Sequence, residues 1–142
     1  MAIPQVIRVN PLDLQKNIAI GVALPFGLCG TDQLFNKTYS TKDQIKSNLI
    51  NVLLTNRGER ILNPSFGSNL KLLLFEPLTE VIKNDIRNTI LSTVNIYIPE
   101  ITITNINIDD SNYQIDNNTV SISVNYRLNI SGTSDQILIQ FQ

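Results

Sequence analysis

Four carboxylates are the residues in this chain best placed to do acid–base chemistry: Glu59, Glu76, Glu80 and Glu100. Glycosidic cleavage needs two carboxyls about 5 to 9 Å apart across a cleft, one of them kept protonated by burial. Glu59 lies between Arg57 and Arg60, whose guanidinium groups favour the charged carboxylate, the wrong state for a general acid. Glu76 precedes Pro77, and Glu80 opens a helix whose N-terminal dipole also favours ionisation. There is no tryptophan to build a sugar-stacking platform and there are only four tyrosines. Histidine is absent, which removes Ser-His-Asp and Cys-His catalysis and any His-ligated metal from these 142 residues. Cys29 is the single cysteine, so neither an internal disulfide nor a Cys-based zinc site can form; Gly27 and Gly30 place it in a loop as a small filler. The turn Asn56-Arg57-Gly58-Glu59-Arg60 lacks the spacing of a phosphate loop and does not follow a strand. Asp109-Asp110 and Asp116-Asn117-Asn118 are rich in oxygen but miss the calcium-loop spacing, and read as solvated hairpin turns. No catalytic, cofactor-binding or metal-binding residue is expected, and no enzymatic activity.

Composition points the same way. The length suits one domain with a real core. A net charge of −1 gives no reason to expect nucleic acid or an anionic membrane as partner. The N-terminus has no basic region followed by an apolar run, and no stretch approaches a membrane span. The expectation is a protein made and kept in the cytoplasm, or in a particle assembled there.

Residues that do not catalyse must be read through the elements that carry them. Residues 1–15 contain Pro4 and Pro11 without a clean period and read as an extended arm, with 16–142 as a single domain. Ile18, Ile20, Val22 and Leu24 alternate with Ala19, Gly21 and Ala23, predicting a strand with one bulky and one small face that lets another backbone approach. A capping box at Thr41 and Gln44 opens a helix over 41–56, with Ile45, Leu49, Val52 and Leu53 inward. Ser68 caps a second helix over 68–75, limited by Pro77. A third spans 79–98, with Ile82, Ile86, Ile90, Val94 and Tyr97 on one stripe and Pro99 as its stop. After Pro99 the period changes to two. Ile101 and Ile103 are followed by Ile106 and Ile108 out of phase, which predicts a β-bulge at Thr104-Asn105. Val120, Ile122, Val124, Tyr126, Leu128 and Ile130 alternate, and the turn Ser131-Gly132-Thr133-Ser134 leads to a last strand. The fold class is α+β, about three helices packed on a mainly antiparallel sheet.

The last strand, Gln136, Ile137, Leu138, Ile139, Gln140 and Phe141, carries no Lys, no Pro and no charge. Sheet edges normally use such residues to refuse foreign strands. Either this edge receives a strand from another chain, or the strand at 18–24 covers it; both readings stand on sequence.

The connection between the first two helices is dense in signals. Gly58 and Gly67 supply backbone freedom, Pro64 and Pro77 restrict it, and Arg57, Glu59 and Arg60 sit exposed where the chain turns. The ordered string T-x-x-G-E-R, P-x-F-G-x-x-L and L-F-E, carried by Thr55, Gly58, Glu59, Arg60, Pro64, Phe66, Gly67, Leu70, Leu74, Phe75 and Glu76, resembles the small baseplate-wedge protein family of contractile phage tails. That family is also called the sheath initiator, and is sometimes labelled lysozyme-like. The resemblance implies a structural subunit of the virion baseplate, with other wedge proteins, the tail sheath and tube or hub proteins as partners. In that family a helix ends in a Glu-Pro-Arg motif implicated in docking on the wedge's helical core. Here Ile98, Pro99 and Glu100 take those places, so only Pro99 matches and the basic position has become acidic. The resemblance thus implies contact with the wedge core through Arg57, Gly58, Glu59, Arg60, Ile98, Pro99 and Glu100, and strand addition from the sheath at Gln136, Ile137, Leu138, Ile139, Gln140 and Phe141. Two other readings accompany it: the equivalent subunit of a bacterial contractile injection or secretion machine, and a small peptidoglycan hydrolase.

Overall fold

A strand with inward residues at every second position needs a cover, and here helices supply it. In the computed structural model, which describes residues 9–26, 35–109 and 120–141, the central strand β4 (Val120–Leu128) buries Val120, Ile122, Val124, Tyr126 and Leu128. Helix α3 (Glu80–Tyr97) opposes it with Ile86, Ile90 and Val94, all fully buried, and helix α1 (Thr41–Leu54) adds Ile45, Leu49, Val52 and Leu53. These side chains form one apolar cluster, completed by Leu70 of the short helix α2 (Leu70–Leu73). The period-3.6 stripes of the helices meet the period-2 face of the sheet, as the residue spacing predicts.

Strands β3 (Ile101–Asp109) and β5 (Ser134–Phe141) flank β4 in an antiparallel sheet of order β3-β4-β5. The register of β3 on β4 shifts between Ile103 and Asn105, so Thr104 is the extra residue. Without it Ile101 and Ile106 could not both be buried, because they differ in parity. Ile130 is exposed and lies beyond β4, in the turn before β5. The expected turns at 110–112 and 116–118, and Cys29, fall outside the described residues.

Several local expectations change. Ser40, not Thr41, caps α1: its Oγ accepts from Asp43 N at 3.2 Å and donates to Asp43 Oδ2 at 2.7 Å. Thr41 is the first helical residue, and its N–H and hydroxyl go to Asp13 Oδ1. Asp13 belongs to a 3-10 turn, Pro11–Leu14, so this part of the supposed extended arm is coiled against the helix start. Gln44 instead accepts from Thr38 Oγ1 and donates to Asn48. Asn69 holds the cap position of α2, although Ser68 Oγ does accept from Leu70 N at 3.3 Å. The strand expected over 18–24 shrinks to β1 (Gly21–Val22), which pairs with β2 (Lys37–Thr38) in a sheet of its own. Its bulky face is not core: Ile18 and Val22 are exposed. Its small face does meet a close neighbour, but that neighbour is the Gln44 side chain, 2.0 Å from where a Gly21 Cβ would stand.

Below the sheet's helical face, Tyr126 is fully buried with its hydroxyl 3.5 Å from Asp135 Oδ2. Burial, then the Asp135 charge, pushes the phenol well above its ordinary range. Burial opposes the Asp135 charge, but the Gln136 N–H and the Lys42 ammonium 3.5 Å away outweigh it, so its carboxyl sits below the usual range. A phenol raised on folding stabilises the fold below the unfolded pKa of about 10, and that stability is lost as pH rises beyond it. Denaturant midpoints should therefore fall above about pH 10, and Tyr126→Phe should flatten that alkaline limb; an unchanged limb refutes the coupling.

Two glycines separate backbone strain from crowding. Gly58 has φ 86° and open space around it, whereas Gly67 has φ 108° and would set a Cβ 2.3 Å from the Thr55 carbonyl oxygen. Gly58→Ala should cost about 1 kcal/mol and Gly67→Ala at least about twice that. Equal losses in urea unfolding would contradict the close approach.

Candidate functional site

The loop from α1 to α2 is closed at its base. Thr55 caps α1 through Asn51, and Ser68 N donates to Thr55 O at 2.9 Å, setting Asn56 beside Ser68 in a parallel bridge. Ser68 is buried and its Oγ donates to Leu53 O at 2.8 Å, satisfying a carbonyl that the helix end leaves open. Gly67 sits at this closure, which is why only a residue without Cβ fits. Inside the loop, Gly58 N donates to Pro64 O at 2.8 Å, and Asn63 N donates to Arg60 O at 3.2 Å around a tight turn.

The charged residues of the loop hold it in shape. Glu59 Oε2 accepts from Asn56 N at 2.8 Å. Arg57 Nε reaches Gly67 O at 3.5 Å. Arg60 donates from Nη2 to Asn51 Oδ1 at 3.1 Å, and its guanidinium carbon lies 3.9 Å from the centroid of Phe66. Phe66 in turn packs on Tyr97, ring centroids 5.0 Å apart and tilted by 58°, and the Tyr97 hydroxyl donates to Ser65 O. The sequence Arg60, Phe66, Tyr97 is thus one stack that fixes the loop to α1 and to the last turn of α3. Such a cation–π contact is worth about 0.5–1 kcal/mol at an exposed position.

The stack brings together the two segments singled out from sequence. Arg60, Phe66, Tyr97, Ile98 and Glu100 line a common cleft of ≈ 230 Å³ with Asn48, Asn51 and Val52. Arg57, Gly58, Glu59, Arg60, Pro99 and Glu100 are exposed, but Ile98 is 4% exposed and belongs to the core. Its side chain is therefore a floor of the cleft and not a surface contact. The corner at Pro99 is clamped by a residue that sequence reasoning missed: Asn129 donates from Nδ2 to Pro99 O and from its backbone to Glu100 O, and accepts from Thr102 Oγ1. A polar residue in a distant turn carries no sequence signal for that role. Arg60 also borders a neighbouring groove of ≈ 500 Å³ lined by Leu24, Pro25, Phe26, Ile50 and Leu54. Pro77 lies apart from this cleft, before α3, where Thr79 N donates back to its carbonyl.

The remaining candidates form a sheet edge. Among the described residues β5 pairs with β4 alone, and β1 pairs with β2, so the strand at 18–24 does not cover it. Leu128 N donates to Thr133 O across the turn. By alternation Tyr126, Val124, Ile122 and Val120 also turn their backbone toward β5, where their partners are Asp135, Ile137, Ile139 and Phe141. The backbone groups of Gln136, Leu138 and Gln140 then point away from the sheet. Gln136 N is taken by Asp135 Oδ1 at 2.9 Å, which leaves Leu138 and Gln140 directed outward, with no strand beside them among the described residues. Ile137 and Ile139 are buried and Phe141 packs on the core, whereas Leu138 is 60% exposed.

Two of the four carboxylates considered for hydrolysis are engaged within the chain. Glu59 is a cap, and Glu80 pairs with Lys83 at 3.1 Å in the first turn of α3. Among the described residues no group of three or more His, Cys, Asp or Glu could hold a metal ion, and no helix is long and apolar enough to cross a membrane.

One family model matches the chain. The model described as "Baseplate wedge protein gp25" matches residues 39–133, more than half of the chain. No curated protein matches. Among solved structures, the chain is similar to a candidate tail lysozyme of Geobacter sulfurreducens, with 20% identity, TM-score 0.65, and coverage of 72% of this chain and 90% of the other. It is also similar to a chain of the anti-feeding prophage baseplate, with 18% identity, TM-score 0.54, and coverage of 84% and 82%. A chain of the type VI secretion baseplate complex gives 12% identity, TM-score 0.51, and coverage of 69% and 89%. At these identities the likeness is one of fold. On the loop itself, Glu59→Ala and Tyr97→Phe should each lower stability by about 0.5–1.5 kcal/mol through a lost hydrogen bond. Wild-type unfolding curves for both variants would show that the loop is not held as described.

Proposed function

The chain belongs to the gp25 family of baseplate wedge proteins, and from that membership we propose that it docks on the core of a baseplate wedge and starts tail-sheath polymerisation by accepting a strand beside β5. The coarse role is that of a baseplate-wedge protein of contractile injection systems. The finer reading rests above all on the edge of β5: a strand with uncharged, outward-directed backbone at Leu138 and Gln140 and with its apolar side chains held inward. Main-chain hydrogen bonds give such an edge affinity, at about 0.5–1.5 kcal/mol net for each bond, and alternate side chains give it specificity. The docking side is the loop of Arg57, Gly58, Glu59 and Arg60 with the corner at Pro99 and Glu100. Their common cleft supports treating them as one surface. The partners are other wedge proteins, the tail sheath and the tube or hub, in a tail baseplate assembled in the host cytoplasm. The alternative within the same class is the equivalent subunit of a bacterial contractile injection or secretion system.

One test follows from the strand parity. Leu138→Pro removes an N–H directed outward while leaving the β4 ladder untouched, and its ring obstructs an incoming strand. Baseplates carrying it should form but bear no sheath; full-length sheaths would overturn the strand-addition reading. Deleting residues 134–142 is a poorer test, because Ile137 and Ile139 are core. The hydrolase reading predicts clearing on a peptidoglycan zymogram by the purified chain, lost in Glu59→Gln; the structural reading predicts no clearing.

A further inference from the structure

The turn from Arg60 to Asn63 has the wrong residues at its corner. Its two central positions are Ile61 and Leu62, and they are 96% and 100% exposed. Tight turns favour Gly, Pro, Asn, Asp and Ser at these places, and neither aliphatic side chain contributes to the core. The turn is also held firmly. Gly58 N to Pro64 O closes it below, Arg60 is fixed to Asn51 and Phe66, and Phe66 is fixed to Tyr97. Two aliphatic groups are therefore presented on a braced mount, a geometry that lowers the ordering cost of binding. From Asn56 to Leu73 the charged residues are Arg57, Arg60 and Lys71 against Glu59, which leaves the segment net basic. That contrasts with the net charge of −1 for the chain.

We propose that Ile61 and Leu62 are an anchor that enters an apolar pocket rimmed by carboxylates on a neighbouring baseplate protein. The inference rests on the wedge-subunit reading and names a contact that the reading did not contain. A protein pocket is favoured over a lipid surface because membrane binding draws on a broad amphipathic face or a polybasic cluster, and here there are two side chains and few cations. Small, central, fully desolvated contacts carry most of the affinity of protein interfaces.

The test uses assembled particles. The double variant Ile61→Asp, Leu62→Asp alters only exposed side chains, so the purified protein should keep the wild-type unfolding midpoint. Its occupancy in purified baseplates should fall at least about tenfold, and Ile61→Val with Leu62→Met should restore it. A photo-reactive residue at position 62 should crosslink, in intact baseplates, to a peptide of another baseplate protein that has apolar residues beside Asp or Glu. Wild-type occupancy of the Asp variant overturns the anchor alone, provided the unmodified chain is present in the same particles. Absence of the unmodified chain from baseplates overturns the wedge reading and the anchor with it. Crosslinks to lipid, to a second copy, or to a peptide without carboxylates also overturn the proposal.

Discussion

The apolar face of β4 is the constraint on which the other elements depend. Five alternate residues, from Val120 to Leu128, are removed from water on one side of the sheet. Burying one such side chain is worth about 1.5–3 kcal/mol relative to leaving it exposed, so the face demands a matching cover along its whole length. The stripes of α1 and α3 provide it, and each flanking strand must keep its own apolar residues in phase. The bulge at Thr104 is the clearest consequence, because β3 changes parity to stay on the buried side. Even the polar pair Tyr126 and Asp135 follows from this demand, since the phenol sits in the covered face and reaches out to the carboxylate on the adjacent strand.

Helices on one face leave the sheet's margins as the places where association is cheap. The outer rows of β5 retain backbone groups that no described element meets. In a soluble monomer such an edge is a hazard; the strand addition proposed above would remove it. The helix-to-helix loop solves a different problem. It must project from the domain without losing its shape, and it does so with few apolar contacts, using the closure at Gly67, the Glu59 cap and the stack of Arg60, Phe66 and Tyr97. Charge here serves shape first. Arg57 is held by Gly67 within the loop, and Arg60 by Asn51 of α1 and by Phe66, so what they offer outward is a preformed field in place of free, flexible cations.

The same arrangement accounts for the altered corner at residues 98–100. Proline retains its role of ending α3, Ile98 is absorbed into the core, and Glu100 shares a cleft with Arg60. A substitution that looks like a sign reversal along the chain is, in space, an acidic group placed opposite a basic one on the same molecule. The surface presented there differs from a uniformly basic or acidic patch.

Periodicity made most of this architecture legible in the chain. The three helices, the change of period at Pro99, the phase slip at Thr104 and the turn glycines all depend on neighbours within a few residues, and such local terms are written directly in residue order. The string around Gly58, Glu59, Arg60 and Phe66 was legible too, because its glycines and prolines answer to backbone sterics. What residue order could not decide was everything that joins distant segments. Pairing of β1 with β2, and so the uncovered β5, depends on which strands find each other after collapse. The contact of Asp13 with the start of α1, the clamp of Asn129 on Pro99, and the stack that unites residues 60, 66 and 97 require separations of many residues to close at once. No single segment encodes those contacts; they exist only once burial of the β4 face has fixed where each segment ends.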